Sequence, residues 1–203
     1  MMGNSEERLE VEVKFYAPDL TAVHNRLLAL GAKITKPRVY ERNVRFDTTD
    51  ETLQQKWAIL RLRQDTAVRL TYKGMPQHAG QGEVRVREEL ELEVSDLETM
   101  TLILERLGYF PVQVYEKYRE TFVLGGVEIV LDEMPFGNFV ELEGTEAAIK
   151  ETAVQLKLDW RGRILTTYLG LMAELKQAYN LPFDDLTFAN FDGLDVTVAD
   201  ILG

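Results

Sequence analysis

The chain has 203 residues, no cysteine and a formal net charge of -11. That length suits one domain with a sizeable core, at most with an appendage. The absence of cysteine excludes disulfides, thiolate chemistry and zinc-cysteine sites, and the acidic balance argues against a general nucleic-acid coat. No charged-then-apolar leader and no membrane-length apolar run is legible, so a cytoplasmic protein without a membrane or nucleic-acid partner is expected.

The first element is Leu9 to Phe15, where Glu10, Glu12 and Lys14 alternate with Val11 and Val13. A strand turns successive side chains to opposite faces, so two carboxylates and an ammonium share one face while the other can enter a core. Asp19 or Thr21 can then cap a helix with Leu20, Val23, Leu27 and Leu30 on one stripe and Gly31 at its end. Val39 to Thr48 reads as a strand, Trp57 to Asp65 as another that places Arg61 and Arg63 in phase, and Arg69-Thr71-Lys73 as a third polar-faced strand.

The stretch Gly74 to Gly82 is glycine-rich, but a strand follows it rather than a helix, which rules out a phosphate loop of the strand-loop-helix kind. Glu83 to Val94 is the most regular strand, with Arg85, Arg87, Glu89, Glu91 and Glu93 opposite Val84, Val86, Leu90, Leu92 and Val94; Glu88 breaks the alternation and suggests a bulge or strand end. A second helix spans Asp96 to Gly108. Strands follow at Val114 to Val123, with Lys117, Arg119 and Thr121 in phase, at Val127 to Asp132, and at Phe139 to Glu143 with Glu141 and Glu143 in phase.

This order repeats. Glu10-Val11-Glu12-Val13, a helix and Tyr40-Glu41-Arg42 match Glu91-Leu92-Glu93-Val94, a helix and Tyr115-Glu116-Lys117. Two such halves would build an α+β fold, a closed or nearly closed antiparallel barrel of about eight strands covered by amphipathic helices. Inward-facing charge is costly unless it is paired or meets a ligand or metal. The bases suit phosphate oxygens and the carboxylates suit Mg²⁺ or Mn²⁺.

The ordered set Glu10-Val11-Glu12-Val13-Lys14, Arg61-Leu62-Arg63, Thr71-Tyr72-Lys73-Gly74, Arg87-Glu88-Glu89-Leu90-Glu91, Lys117-Tyr118-Arg119, Asp132 and Gly137 to Gly144 resembles the CYTH superfamily, the triphosphate tunnel metalloenzymes, which joins class IV adenylyl cyclases and thiamine triphosphatases. The resemblance covers roughly Leu9 to Tyr168 and implies a tunnel of eight antiparallel strands around a linear triphosphate. It implies phosphate binding by Lys14, Arg61, Arg63, Lys73, Arg87, Lys117 and Arg119, and one or two divalent ions, Mg²⁺ or Mn²⁺, held by Glu10, Glu12, Asp132, Glu141 and Glu143. Glu89 and Glu91 would join the metal shell or orient water, and with Lys117 they are the catalytic candidates.

Some tunnel triphosphatases pair a second-strand tyrosine with the lysine matching Lys117, but Arg45 stands at that place here. Water activation by metal and carboxylate is therefore expected instead, with Arg45 as a further phosphate ligand. The expected activity is hydrolysis of inorganic triphosphate or another small triphosphate. Cyclisation of ATP and noncatalytic polyphosphate or nucleotide binding are the alternatives, in a monomer or homodimer.

Beyond Gly144, Thr145 can cap a helix to about Leu158, and a second is expected from Ile164 to Asn180, closing the main domain at 1–180. Arg161 or Arg163 could reach the tunnel from this region. Residues 181–203 would pack on the domain or at a dimer contact. His24 and His78 lack ligand-spaced partners, Trp57 and Trp160 read as packing anchors, and no serine or cysteine nucleophile arrangement is apparent.

Overall fold

The structure, a computed structural model, describes residues 9–75 and 83–202. The elements run β1 (Leu9–Tyr16), α1 (Leu20–Ala29), β2 (Lys33–Asp47), α2 (Thr52–Gln55), β3 (Ile59–Gln64), β4 (Val68–Gly74), β5 (Arg85–Val94), α3 (Leu97–Arg106), β6 (Phe110–Leu124), β7 (Val127–Met134) and β8 (Gly137–Glu143). After these come α4 (Glu146–Leu156), a short β9 (Arg163–Ile164), α5 (Tyr168–Tyr179), α6 (Phe188–Phe191) and α7 (Ala199–Leu202).

The strands pair in the order β5-β4-β3-β2-β6-β7-β8-β1, with β9 on β1 and a further β5–β1 pairing that closes the order. This is the expected α+β class, an eight-stranded antiparallel barrel with helices around it. The sequence echo is visible as β1-α1-β2 and β5-α3-β6: each helix has 10 residues and an aspartate cap, Asp19 or Asp96, and each following strand has 15 residues. Among the described residues no helix is long and apolar enough to cross a membrane.

Contacts group the chain into two compact units. The first comprises the residues up to Glu10 together with Glu41–Tyr115, the second Val11–Tyr40 and the residues from Glu116 onward. In the first, Phe46, Leu62 and Leu104 form a buried cluster that Val44, Leu60, Val68, Leu70, Leu97 and Met100 surround, so α3 covers the apolar faces of β2, β3 and β4. The other faces of these strands are also buried, but polar: Glu41, Asn43, Arg63 and Thr71 are each less than a tenth exposed.

The second unit repeats this division. Val13, Phe15, Ile129, Leu131, Val140 and Leu142 are buried on one face, where α1 and α4 contribute Leu27, Ile149 and Ala153, while Lys14, Lys117, Thr121 and Asp132 are buried on the other. Helix α4 begins at the predicted cap, the Thr145 hydroxyl accepting from the Ala148 amide. The residues after α5 return to the strands: the Glu116 amide donates to the Leu186 carbonyl at 2.9 Å, and the Val198 amide to the Phe136 carbonyl at 2.8 Å.

Several expectations need correction. β2 starts at Lys33, well before Val39, because Lys33 to Arg38 are all exposed and no apolar alternation announces them. β3 starts at Ile59 rather than Trp57. Trp57 sits in the left-handed region at φ 56° and is 73% exposed, so it is not a packing anchor. Trp160 does pack, its ring 6.0 Å from that of Phe15. Ile164 belongs to β9 and Leu165 is exposed; α5 starts only after Thr167, whose hydroxyl accepts from the Gly170 amide. Of bulge and strand end, Glu88 meets the second: the β4–β5 register runs unbroken from Val68↔Val94 and stops at Gly74↔Glu88, at the end of β4. Most of the glycine-rich stretch, residues 76–82 with His78, lies outside the described residues.

Candidate functional site

In the first unit the polar face carries both cations and anions. Register sets Arg45 opposite Arg61, Asn43 opposite Arg63, Arg61 opposite Thr71, and Thr71 opposite Glu91. Directly opposed residues on neighbouring strands share a face with Cβ atoms about 5 Å apart, so Arg45 and Arg61 bring two like charges together. Lys73 Nζ donates to both oxygens of Glu10, at 2.5 and 2.7 Å, and lies 3.1 Å from Glu89. Arg63 reaches both oxygens of Glu91, at 3.0 and 3.1 Å, and the Thr71 hydroxyl donates to the same carboxylate at 2.8 Å.

Arg61 donates to the Tyr115 hydroxyl at 2.7 Å. Burial works against its charge, but Tyr115, Glu89 and Glu41 outweigh burial and hold the guanidinium above its ordinary pKa. Arg45 is anchored differently. Buried Asp47 accepts the Thr48, Leu53 and Gln54 amides and so fixes the start of α2, and Gln54 in turn accepts from Arg45 at 3.1 Å. Arg45, Arg61 and Arg63 each keep a buried Nε, and Asn43 its whole side-chain amide, with no hydrogen-bond partner among the described residues. Arg87 is buried on the same sheet.

In the second unit Lys14 pairs with Glu141 at 2.9 Å, and Arg119 reaches the other Glu141 oxygen at 2.6 Å. Fully buried Asp132 accepts from Lys117 at 3.1 Å, from Arg119 through both Nε and Nη2, and from the Tyr168 hydroxyl at 2.9 Å. Burial alone would raise the Glu141 carboxyl, but Lys14, Arg119 and Lys117 overcome it and hold the group well below the usual carboxylate range. Burial, joined by the charges of Asp132 and Glu141, pushes the Tyr168 phenol well above its ordinary value.

The depressed Glu141 carboxyl contributes stability that is complete above the unfolded value of about 4.3 and fades as pH falls through its lower folded value. Glu141→Gln leaves Lys14 buried beside a neutral amide. In urea unfolding with EDTA it is expected to cost about 3 kcal/mol at pH 7, narrowing progressively below about pH 4. A gap that stays constant down to pH 3 would contradict the assignment.

Glu12 and Glu143 face each other across the β1–β8 ladder, two residues along from the Lys14–Glu141 pair and on the same face. Their oxygens are the hard donors that Mg²⁺ and Mn²⁺ prefer. Among the described residues no group of three or more His, Asp or Glu side chains forms a ready metal cage. The opposed pair still fits, because such ions are commonly held by one or two carboxylates and complete their shell with substrate phosphate.

The predicted residues thus fall into distinct groups. Glu10, Lys73 and Glu89 meet, Arg63 meets Glu91, Arg45 adjoins Arg61, and Lys14, Lys117, Arg119, Asp132 and Glu141 form one network. Sequence reasoning missed Tyr168, which looked like one more apolar position on a helix stripe, and Tyr115, which seemed only part of the repeat. Arg163 donates to the Trp160 carbonyl at 3.0 Å, and Tyr168 brings a side chain to this network from beyond β9.

The CYTH domain profile matches residues 8–165. A Methanocaldococcus jannaschii protein named "Putative adenylate cyclase" is 30% identical over 145 residues, spanning 70% of this chain and 81% of its own. A Vibrio parahaemolyticus structure with the same description has 23% identity and a TM-score of 0.68, covering 79% of this chain and 95% of that one. A Hippeastrum structure, described as a "Putative adenylyl cyclase" that reveals a dominant triphosphatase activity, has 19% identity and a TM-score of 0.53, covering 77% of this chain and 90% of that one. The profile match over most of the length, on a barrel whose polar face is buried, makes this chain a member of the CYTH domain family.

Proposed function

We propose that the protein is a metal-dependent phosphohydrolase acting on a linear triphosphate, either inorganic triphosphate or a small organic or nucleoside triphosphate. The observation that carries this reading is the set of buried Nε–H groups on Arg45, Arg61 and Arg63 that find no acceptor among the described residues. Buried donors are nearly always satisfied, and charged guanidinium donors match phosphate oxygens in both charge and geometry. Lys14, Lys73, Arg87, Lys117 and Arg119 supply further phosphate contacts. Glu12 and Glu143, with Glu10, Asp132 and Glu141, are the proposed metal ligands.

In this mechanism the guanidinium and ammonium groups hold the triphosphate extended and offset the charge that builds on the transferring phosphoryl group. Glu89 or Glu91 orients the attacking water and accepts its proton, while Lys117 stabilises charge on the phosphoryl oxygens. Water attacks the terminal phosphorus in line, the bridging bond breaks, and orthophosphate and the shortened phosphate leave. A bound Mg²⁺ or Mn²⁺ supplies Lewis-acid stabilisation of the phosphate oxygens.

The name of the Methanocaldococcus jannaschii relative favours a second reading, in which a ribose hydroxyl attacks the α-phosphorus of ATP to give cyclic AMP and pyrophosphate. Incubation with Mg²⁺ or Mn²⁺ and either tripolyphosphate or ATP separates the two. Hydrolysis predicts orthophosphate without cyclic AMP. Cyclic AMP with pyrophosphate would replace the hydrolase reading, and binding without either product would leave a noncatalytic polyphosphate or nucleotide binder.

A further inference from the structure

Tyr168 is the first residue of α5 and lies just past the stretch that the family profile matches. Its helix starts where a close approach is required: a Cβ on Gly170 would stand 2.5 Å from the Thr166 methyl carbon. Its hydroxyl donates to Asp132, Lys14 Nζ sits 4.3 Å from its ring centroid, and Lys117 Nζ lies 5.6 Å from the same point. A buried ammonium over an aromatic face is held by the ring's negative surface as well as by its carboxylate.

We propose that Tyr168 is a positioning residue that fixes the directions of Lys14, Lys117 and Arg119, and that the C-terminal stretch holds Tyr168 in place. Asp132 accepts from Lys117, Arg119 and Tyr168 through Oδ2 and from Arg119 again through Oδ1. Two of those donors come from β6, so the hydroxyl on α5 is the contact that sets the carboxylate's rotation independently of the bases it orients. Behind the ring, Phe139 packs edge-on at 5.0 Å and Phe136 at 6.5 Å. Phe136 meets Phe191 at 6.2 Å, and its carbonyl accepts from both the Val198 amide and the Thr197 hydroxyl.

The proposal rests on the triphosphate reading for its purpose but not for its test. In the full chain without ligand, the Hε and Cε NMR resonances of Lys14 and Lys117, assigned with Lys→Arg variants, report both contacts. Tyr168→Phe is expected to keep the upfield ring-current shift of Lys14 and to move Lys117. Tyr168→Leu should abolish the Lys14 shift. Tripolyphosphate affinity by calorimetry should fall about tenfold in Tyr168→Phe and further in Tyr168→Leu. Leu175→Ala, a buried change elsewhere on α5, should lower Tm while leaving lysine resonances and affinity in place.

Lysine resonances unchanged in both Tyr168 variants, or unchanged affinity, would overturn the proposal. If the wild-type chain binds tripolyphosphate but releases no orthophosphate, the hydrolase reading fails and the affinities still decide the role of Tyr168. If it binds none, the triphosphate reading fails and the resonances alone decide: movement supports positioning, and constancy overturns it.

Discussion

Arg61→Ala combined with Arg63→Ala is expected to weaken tripolyphosphate binding by about a hundredfold or more, measured calorimetrically without metal. Each lost hydrogen bond between a guanidinium and a charged acceptor is worth roughly 1.5–3 kcal/mol, and two removed together reach that range even if they couple. The two side chains emerge two residues apart on β3, on the face opposite Leu60 and Leu62, so truncation leaves the Phe46–Leu62–Leu104 cluster untouched. Each has a protein partner on one side, Tyr115 for Arg61 and Glu91 for Arg63, yet each keeps an unengaged Nε. Such an arrangement holds the guanidinium in place while leaving donors for a ligand. Unchanged affinity in the double variant would move phosphate recognition to other residues.

Glu12→Gln combined with Glu143→Gln is expected to lower metal-dependent turnover by at least about a hundredfold, because several kcal/mol of charge stabilisation in phosphoryl transfer depends on the ion. These two are tested without Glu141. Glu141 holds Lys14, so its loss mixes a stability effect with a catalytic one. Glu12 and Glu143 are opposed carboxylates on neighbouring strands, and the isosteric amides remove charge without removing volume. Tripolyphosphate binding without metal should survive in the double variant. Undiminished turnover in Mg²⁺ or Mn²⁺ would remove this pair from the metal assignment.

Much of the fold is legible because strand alternation is strong where one face is apolar and the other charged. β5 and β8 announce themselves this way, and Asp19, Asp96 and Thr145 mark their helices by the local chemistry of capping. The signal fails where burial does not alternate. The first six residues of β2 are all exposed, so only its pairing with β6 makes this part a strand. Trp57 is assigned by residue type to a core, but its left-handed backbone ends the run and turns the ring to solvent.

The charged face is legible as a set of residue types, but the pairing within it is not. Nothing local joins Lys73 to Glu10, 63 positions away, or Tyr168 to Asp132, 36 positions away. Arg45 could be read as an unusual residue at a tyrosine's place, while the device that steadies it, Asp47 holding α2 and α2 presenting Gln54, depends on a turn geometry that composition does not encode. Tyr168 shows the same limit in another form. A tyrosine in an apolar helix stripe carries no sign that its hydroxyl will meet a buried carboxylate.

The most direct test of the whole account is a crystal structure of the protein soaked with tripolyphosphate and Mn²⁺. The account predicts phosphate oxygens on Arg61 and Arg63, with Mn²⁺ bound through Glu12 or Glu143. Tripolyphosphate seated instead on the outer surface, with the buried guanidinium groups making no phosphate contact, would contradict it.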